Sequence, residues 1–111
     1  MPNAANFLKG FGFIKGRQFD GYILDHASTT HESITRYQEY AYHVTLRFTN
    51  AGNGTYADLL RVVKEHISQG HIIYGIRNPY QCVIDPPHQS DIIENRDGSI
   101  TYKLIGHCYR D

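Results

Sequence analysis

Hydrophobic and polar positions alternate most regularly between residues 34 and 48. In ITRYQEYAYHVTLRF, Tyr40, Tyr42, Val44, Leu46 and Phe48 fall on one side of an extended chain, and Glu39, Ala41, His43, Thr45 and Arg47 on the other. This is the pattern of a strand with one buried and one wetted face. A different period follows the turn-rich NAGNG at 50–54. Thr55 with Asp58 three residues on makes a helix start, and Leu59, Val63 and Ile67, flanked by Leu60, share one face of a helix that stops near Gly70. The spacing predicts an amphipathic helix at about 55–69. Beyond it, HIIYGI (71–76) and YQCVI (80–84) read as strands separated by RNP, and Pro86 with Pro87 ends the second. IIEN, RDG and SITYKLIGHCYR form a hairpin signature with Asp97 and Gly98 at its turn. At the front of the chain, 7–16 reads as a glycine-interrupted strand, 18–26 as its continuation or partner after a KGR turn, and the polar ASTTHES (27–33) as a loop.

Several strands, one helix and several strands most simply give an α+β fold: a single, largely antiparallel sheet with one amphipathic helix packed on one face. At 111 residues the chain has room for one core, so residues 1–111 are expected to be a single domain. Hydrophobic content of 41% with 20% charged residues places it among globular chains rather than disordered ones. Eleven basic residues balance eleven acidic ones, so no whole-molecule field draws it to a polyanion, and any phosphate contact must be local. No apolar run has the length of a membrane span or the form of an export leader, which leads to the expectation of a soluble, cytoplasmic protein. In such a reducing compartment Cys82 and Cys108 are expected as free thiols. Nine tyrosines suit half-buried sheet surfaces, and an exposed tyrosine face would suit a homodimer.

Two stretches carry candidate chemistry. KGFGFIKG (9–16) places Phe11 and Phe13 at alternate positions between Lys9 and Lys15, an arrangement that on a strand would stack bases and meet phosphates. It resembles the equivalent strand of cold-shock domains over roughly the first 26 residues, although only eight residues precede it where that family has a full strand. The second stretch comes from strand parity. The last strand sets Ser99, Thr101, Lys103, Ile105, His107 and Tyr109 on one side. If that side shares a sheet face with the polar side of 34–48, then His43, Thr45, Arg47, Lys103, His107 and Tyr109 converge. Arg47, Lys103, Thr45 and Tyr109 would hold phosphate oxygens, and His43 and His107 could serve as general acid and base.

HVTL at 43–46 resembles one His-x-Thr-aliphatic motif of the two-histidine phosphoesterases, which carry it twice; the second copy is missing here. In outline, the helix followed by a small sheet is also similar to compact ribonuclease toxins. These observations lead first to a small protein that binds nucleic acid or a phosphorylated ligand through its polar sheet face. The alternatives are a metal-independent phosphodiesterase or ribonuclease, and a protein-interaction module (an inhibitor or adaptor) acting through tyrosines or the acidic 85–97 loop. None of the three requires a cofactor, a metal or a membrane. Asp25, His26, His31 and Glu32 read as a polar loop rather than a metal site.

Overall fold

The computed structural model describes residues 4–34, 39–74 and 79–110. Its elements are α1 (Ala4–Gly10), β1 (Gln18–Phe19), β2 (Tyr22–Ile34), β3 (Tyr40–Asn50), α2 (Tyr56–Ile67), β4 (His71–Tyr74), β5 (Pro79–Ile84), β6 (Ile92–Glu94) and β7 (Ile100–Arg110), with a 3-10 turn at Gln89–Asp91. The described strands pair antiparallel in one seven-stranded sheet of order β1-β2-β3-β7-β5-β4, with β6 also paired to β7. The chain therefore forms the α+β fold that its periodicity predicts. Residues 35–38 and 75–78, which held the start of the strand expected at 34–48 and the end of the one expected at 71–76, lie outside the described residues.

Strand β3 is central because its alternation is strict. Tyr40, Tyr42, Val44, Leu46 and Phe48 are all buried, and β7 answers with Ile100, Tyr102, Leu104 and Cys108 on the same inner face. Helix α2 closes that face with Leu59, Val63 and Ile67, each worth about 1.5–3 kcal/mol when fully buried. Its first turn is fixed by Thr55, whose side-chain oxygen accepts the Asp58 amide at 3.3 Å while its hydroxyl donates to the Asp58 carboxylate at 2.7 Å.

The front of the chain differs from expectation. Residues 4–10 form a helix, not a strand, because Phe7, Leu8 and Phe11 recur at helical spacing and bury as one face. Gly12, at φ +84°, then takes the left-handed conformation that lets the chain double back and insert Phe13. The carbonyls left over at the end of α1 are bonded from elsewhere: the His71 ring donates to the Phe7 carbonyl at 2.9 Å, and the His66 ring to that of Phe11 at 2.8 Å.

The expected loop at 27–33 is also corrected. It lies within β2, which follows β3 from Tyr22 opposite Asn50 to Ile34 opposite Tyr40. Its polar composition had suggested a loop, but Thr29 and Thr30 accept an extended backbone readily and the strong β3 ladder supplies their partners. β1 and β2 are joined by a two-residue turn, Asp20–Gly21, both at positive φ as such hairpins require.

Cys82 and Cys108 are direct partners on β5 and β7, with Cα atoms 4.3 Å apart, the narrow kind of cross-strand site. They form a buried disulfide in place of the expected free thiols. No described helix is long and apolar enough to cross a membrane.

Candidate functional site

Because α2 covers the inner face, the outer face of β3, β7 and β5 is left to solvent. The β3–β7 register sets Ala41 opposite His107, His43 opposite Ile105, Thr45 opposite Lys103 and Arg47 opposite Thr101. His43 and His107 are thus diagonal neighbours on one face, about 7–8 Å apart at the backbone. Tyr109 follows His107 on the same side.

A break in the sheet edge builds the cleft. β5 and β6 run along the same edge of β7, the first ending with Ile84 opposite Gly106, the second starting with Ile92 opposite Tyr102. Seven residues, 85–91, bridge a gap that spans only three positions of β7, so they are forced out of the ladder. Asp85 still donates its amide to the Ile105 carbonyl at 2.9 Å, after which Pro86 and Pro87 lead the chain away. The excursion encloses a cleft of about 350 Å³ lined by His43, Thr45, Asp85, His88, Asp91 and Lys103, with Ile105 and the two prolines as apolar wall. A 3-10 turn fixes its far side, where Asp91 accepts the His88 amide at 3.2 Å and returns its own amide to the His88 carbonyl at 2.9 Å.

His107 stands beside this cleft between two carboxylates. Its Nε2 donates to Asp85 at 3.0 Å, and a Glu39 carboxylate oxygen lies 2.8 Å from Nδ1. Nδ1 is buried, with no hydrogen bond made to it among the described residues. The imidazole is accordingly held in place more than it is presented to a ligand. His43 and His88 border the cleft itself.

Arg47 shares the face but is committed to another task. An irregularity in the β2 register between Leu24 and His26 turns Asp25 toward β3, where Arg47 donates to it at 2.9 Å and the Thr49 hydroxyl donates a second bond. Burial pushes the Asp25 carboxyl up, but the bonds from Thr49 and Arg47 outweigh it and hold the group below its ordinary 3.8. The same bond raises Arg47 above its ordinary value. Arg47 is therefore a clamp on β2, outside the lining of the cleft.

Phe11 and Phe13, the residues of the expected stacking strand, are each only 3% exposed. They pack within the core, with Phe11 edge-on to Phe7 and Phe13 beside Phe19, and offer no face to a base. Lys9 and Lys15 are exposed on the helix and turn either side of them, not on a strand. The sequence placed Glu39 on the polar strand face and Asp85 and Asp91 in an acidic loop, but did not bring them to this face, and His88 was not singled out. Asp85 was within reach of parity, being two residues past Val83, which lies opposite His107; His88 and Asp91 depend on the path of the excursion, which alternation does not encode.

Among the described residues no group of three His, Cys, Asp or Glu side chains is placed to hold a metal ion. No family model, curated protein or solved structure matches the chain.

Proposed function

We propose that the cleft between β3, β7 and residues 85–91 binds a phosphate-bearing ligand, either a nucleotide unit of a nucleic acid or a phosphorylated small molecule. The observation that carries this reading is the convergence of Lys103, Thr45 and His43 on one cleft from paired positions of adjacent strands. Lys103 supplies the charge, Thr45 and His43 the hydrogen-bonding groups, and Ile105 with Pro86 and Pro87 an apolar wall for a ring. Asp85 and Asp91 make the cleft unlike a basic trough, but both carboxylates already have protein partners in His107 and the His88 amide. Recognition of one phosphate within a mixed donor and acceptor pocket fits that balance better than neutralisation of a long polyanion. Binding would weaken with salt by roughly 0.7 of a decade per decade of salt for each single-strand phosphate contacted.

A second reading, metal-independent phosphodiester cleavage by His43 and His107, draws support from their diagonal placement on one face. The engagement of His107 by Asp85 and Glu39 weighs against it. Both readings are tested by incubating labelled RNA and single-stranded DNA with the protein in EDTA, with Lys103→Ala, His43→Ala and His107→Ala alongside. Salt-sensitive binding that Lys103→Ala weakens, without cleavage, is the expected result. Cleavage lost in both histidine variants would instead favour the catalytic reading. Binding indifferent to Lys103→Ala would overturn the cleft assignment.

A further inference from the structure

The gap between β5 and β6 that opens the outer cleft also opens on the inner side of the sheet. β5 gives its last inward side chain at Ile84 and β6 its first at Ile92, with no strand between them to meet the C-terminal half of α2. The helix does not close that stretch. A groove of about 550 Å³ remains between Leu60, Val63 and Ile67 of α2 and Ile84, Ile92 and Tyr102 of the sheet. Pro86 and Pro87 wall it from the loop side, so the groove and the outer cleft stand back to back with the same two prolines between them. This size and this apolar wall are those of a small-molecule site. A protein partner would need a surface of about 800 Å² on each side, more than such a groove offers.

Charge decides the class of ligand. Lys64 is the one charged side chain in the lining, and it is exposed at the edge of the groove. No ion pair among the described residues engages it. The two acids of α2 are already taken: Glu65 by Arg61 at 3.1 Å, and Asp58 by the Thr55 hydroxyl at 2.7 Å. Nor is the ammonium needed to cap the helix, because Ser68 donates its amide to the Lys64 carbonyl at 3.0 Å and its hydroxyl to the Glu65 carbonyl at 2.8 Å. An uncommitted cation beside an apolar groove whose lining holds no acid complements a molecule with an apolar body and one negative charge. We propose that this groove binds a small hydrophobic carboxylic acid, its hydrocarbon body lying between α2 and the sheet edge at Ile84 and Ile92 and its carboxylate held by Lys64. A lysine lays its stem along apolar surface and keeps its head in water, so the ligand's chain is buried while its carboxylate stays partly hydrated. The site is separate from the phosphate cleft, and neither reading requires the other.

The test is isothermal titration calorimetry with decanoate, octanoate and phenylbutyrate, and with decanol and decylammonium as head-group controls, all below the concentrations at which they aggregate. Amide signals of the isotope-labelled protein place the site. Wild type is compared with Lys64→Glu, which reverses the charge at an exposed position, and with Leu60→Trp, which fills the groove; circular dichroism checks that each folds. Decanoate should bind saturably and shift amides within residues 60–68 and 84–92. Octanoate should bind roughly 15-fold more weakly, about fourfold for each methylene lost. Lys64→Glu should weaken decanoate about tenfold or more, the loss of a bond to a charged group, while leaving decanol within about twofold and strengthening decylammonium. Leu60→Trp should abolish binding of all of them. Decanoate bound equally by wild type and Lys64→Glu would overturn the carboxylate assignment. Amide shifts that fall outside the groove, or no saturable binding by either decanoate or phenylbutyrate, would overturn the site itself. Should Leu60→Trp fail to fold, the amide map and Lys64→Glu decide the matter without it.

Discussion

Opening the Cys82–Cys108 disulfide should cost this protein a large part of its stability, and the amount follows from the loop it closes. The two cysteines are 26 residues apart, and the enclosed segment contains the 85–91 excursion, β6 and most of β7. Closing a loop of that length removes about 12 cal/mol/K of chain entropy from the unfolded state, or about 3.5 kcal/mol at 25 °C. Spread over the unfolding entropy of a 111-residue chain, this is a fall in Tm of about 15 °C. The folded ladder has little reason to change on reduction, since each sulfur keeps its buried place opposite the other on paired strands. Thermal unfolding followed by circular dichroism, with and without reductant, reads the effect directly, with thiol titration of the same samples to confirm that the bond is open. The double variant Cys82→Ala/Cys108→Ala, which keeps two small apolar side chains, should fall at least as far. If the bond is shown to be open and stability changes by less than about 1 kcal/mol, the unfolded chain is already constrained and the loop argument is wrong.

Three further outcomes follow from particular atoms. Among the described residues the Tyr102 hydroxyl is buried with no hydrogen-bonding partner, so Tyr102→Phe should leave stability unchanged or raise it by about 1–2 kcal/mol in a denaturant melt, and a loss of that size would show a missed partner. Gly106 packs against the Phe7 ring, which stacks on Tyr42 at 4.7 Å; an added Cβ would strike that ring, and Gly106→Ala should cost about 1–3 kcal/mol and loosen α1, detectable as faster amide exchange over residues 4–10. Burial, followed by the proximity of Tyr40 and Tyr80, pushes Tyr42 up to about 12 from an ordinary 10.0. A group whose folded value is raised contributes in full below its unfolded value, so this stability should be present below pH 10 and decline toward pH 12. Chemical denaturation across that window checks it, and a flat profile would contradict it.

Much of the fold could be read from the chain because β3, β7 and α2 bury one face each and so carry clean periods of two and 3.6. The front of the chain misled for a related reason: Phe11 and Phe13 have the spacing of a strand, while Phe7, Leu8 and Phe11 have that of a helix, and only packing against His66 and His71 decides between them. The second part of β2, from Ala27, hid because a polar strand looks locally like a loop, and its pairing is set by β3. Parity brought His43, Thr45, Lys103 and His107 to one face. Parity could not show that Asp25 already holds Arg47, or that residues 85–91 would rise from the sheet edge and carry Asp85, His88 and Asp91 to the site.

The cleft assignment is met most directly by nuclear magnetic resonance titration of the isotope-labelled protein with a short single-stranded RNA and, separately, with inorganic phosphate. The expected result is that both ligands shift the ring signals of His43 and His88 and the amides of Thr45 and Lys103. Saturable shifts that fall elsewhere on the molecule, with the β3–β7 face unmoved, would contradict it.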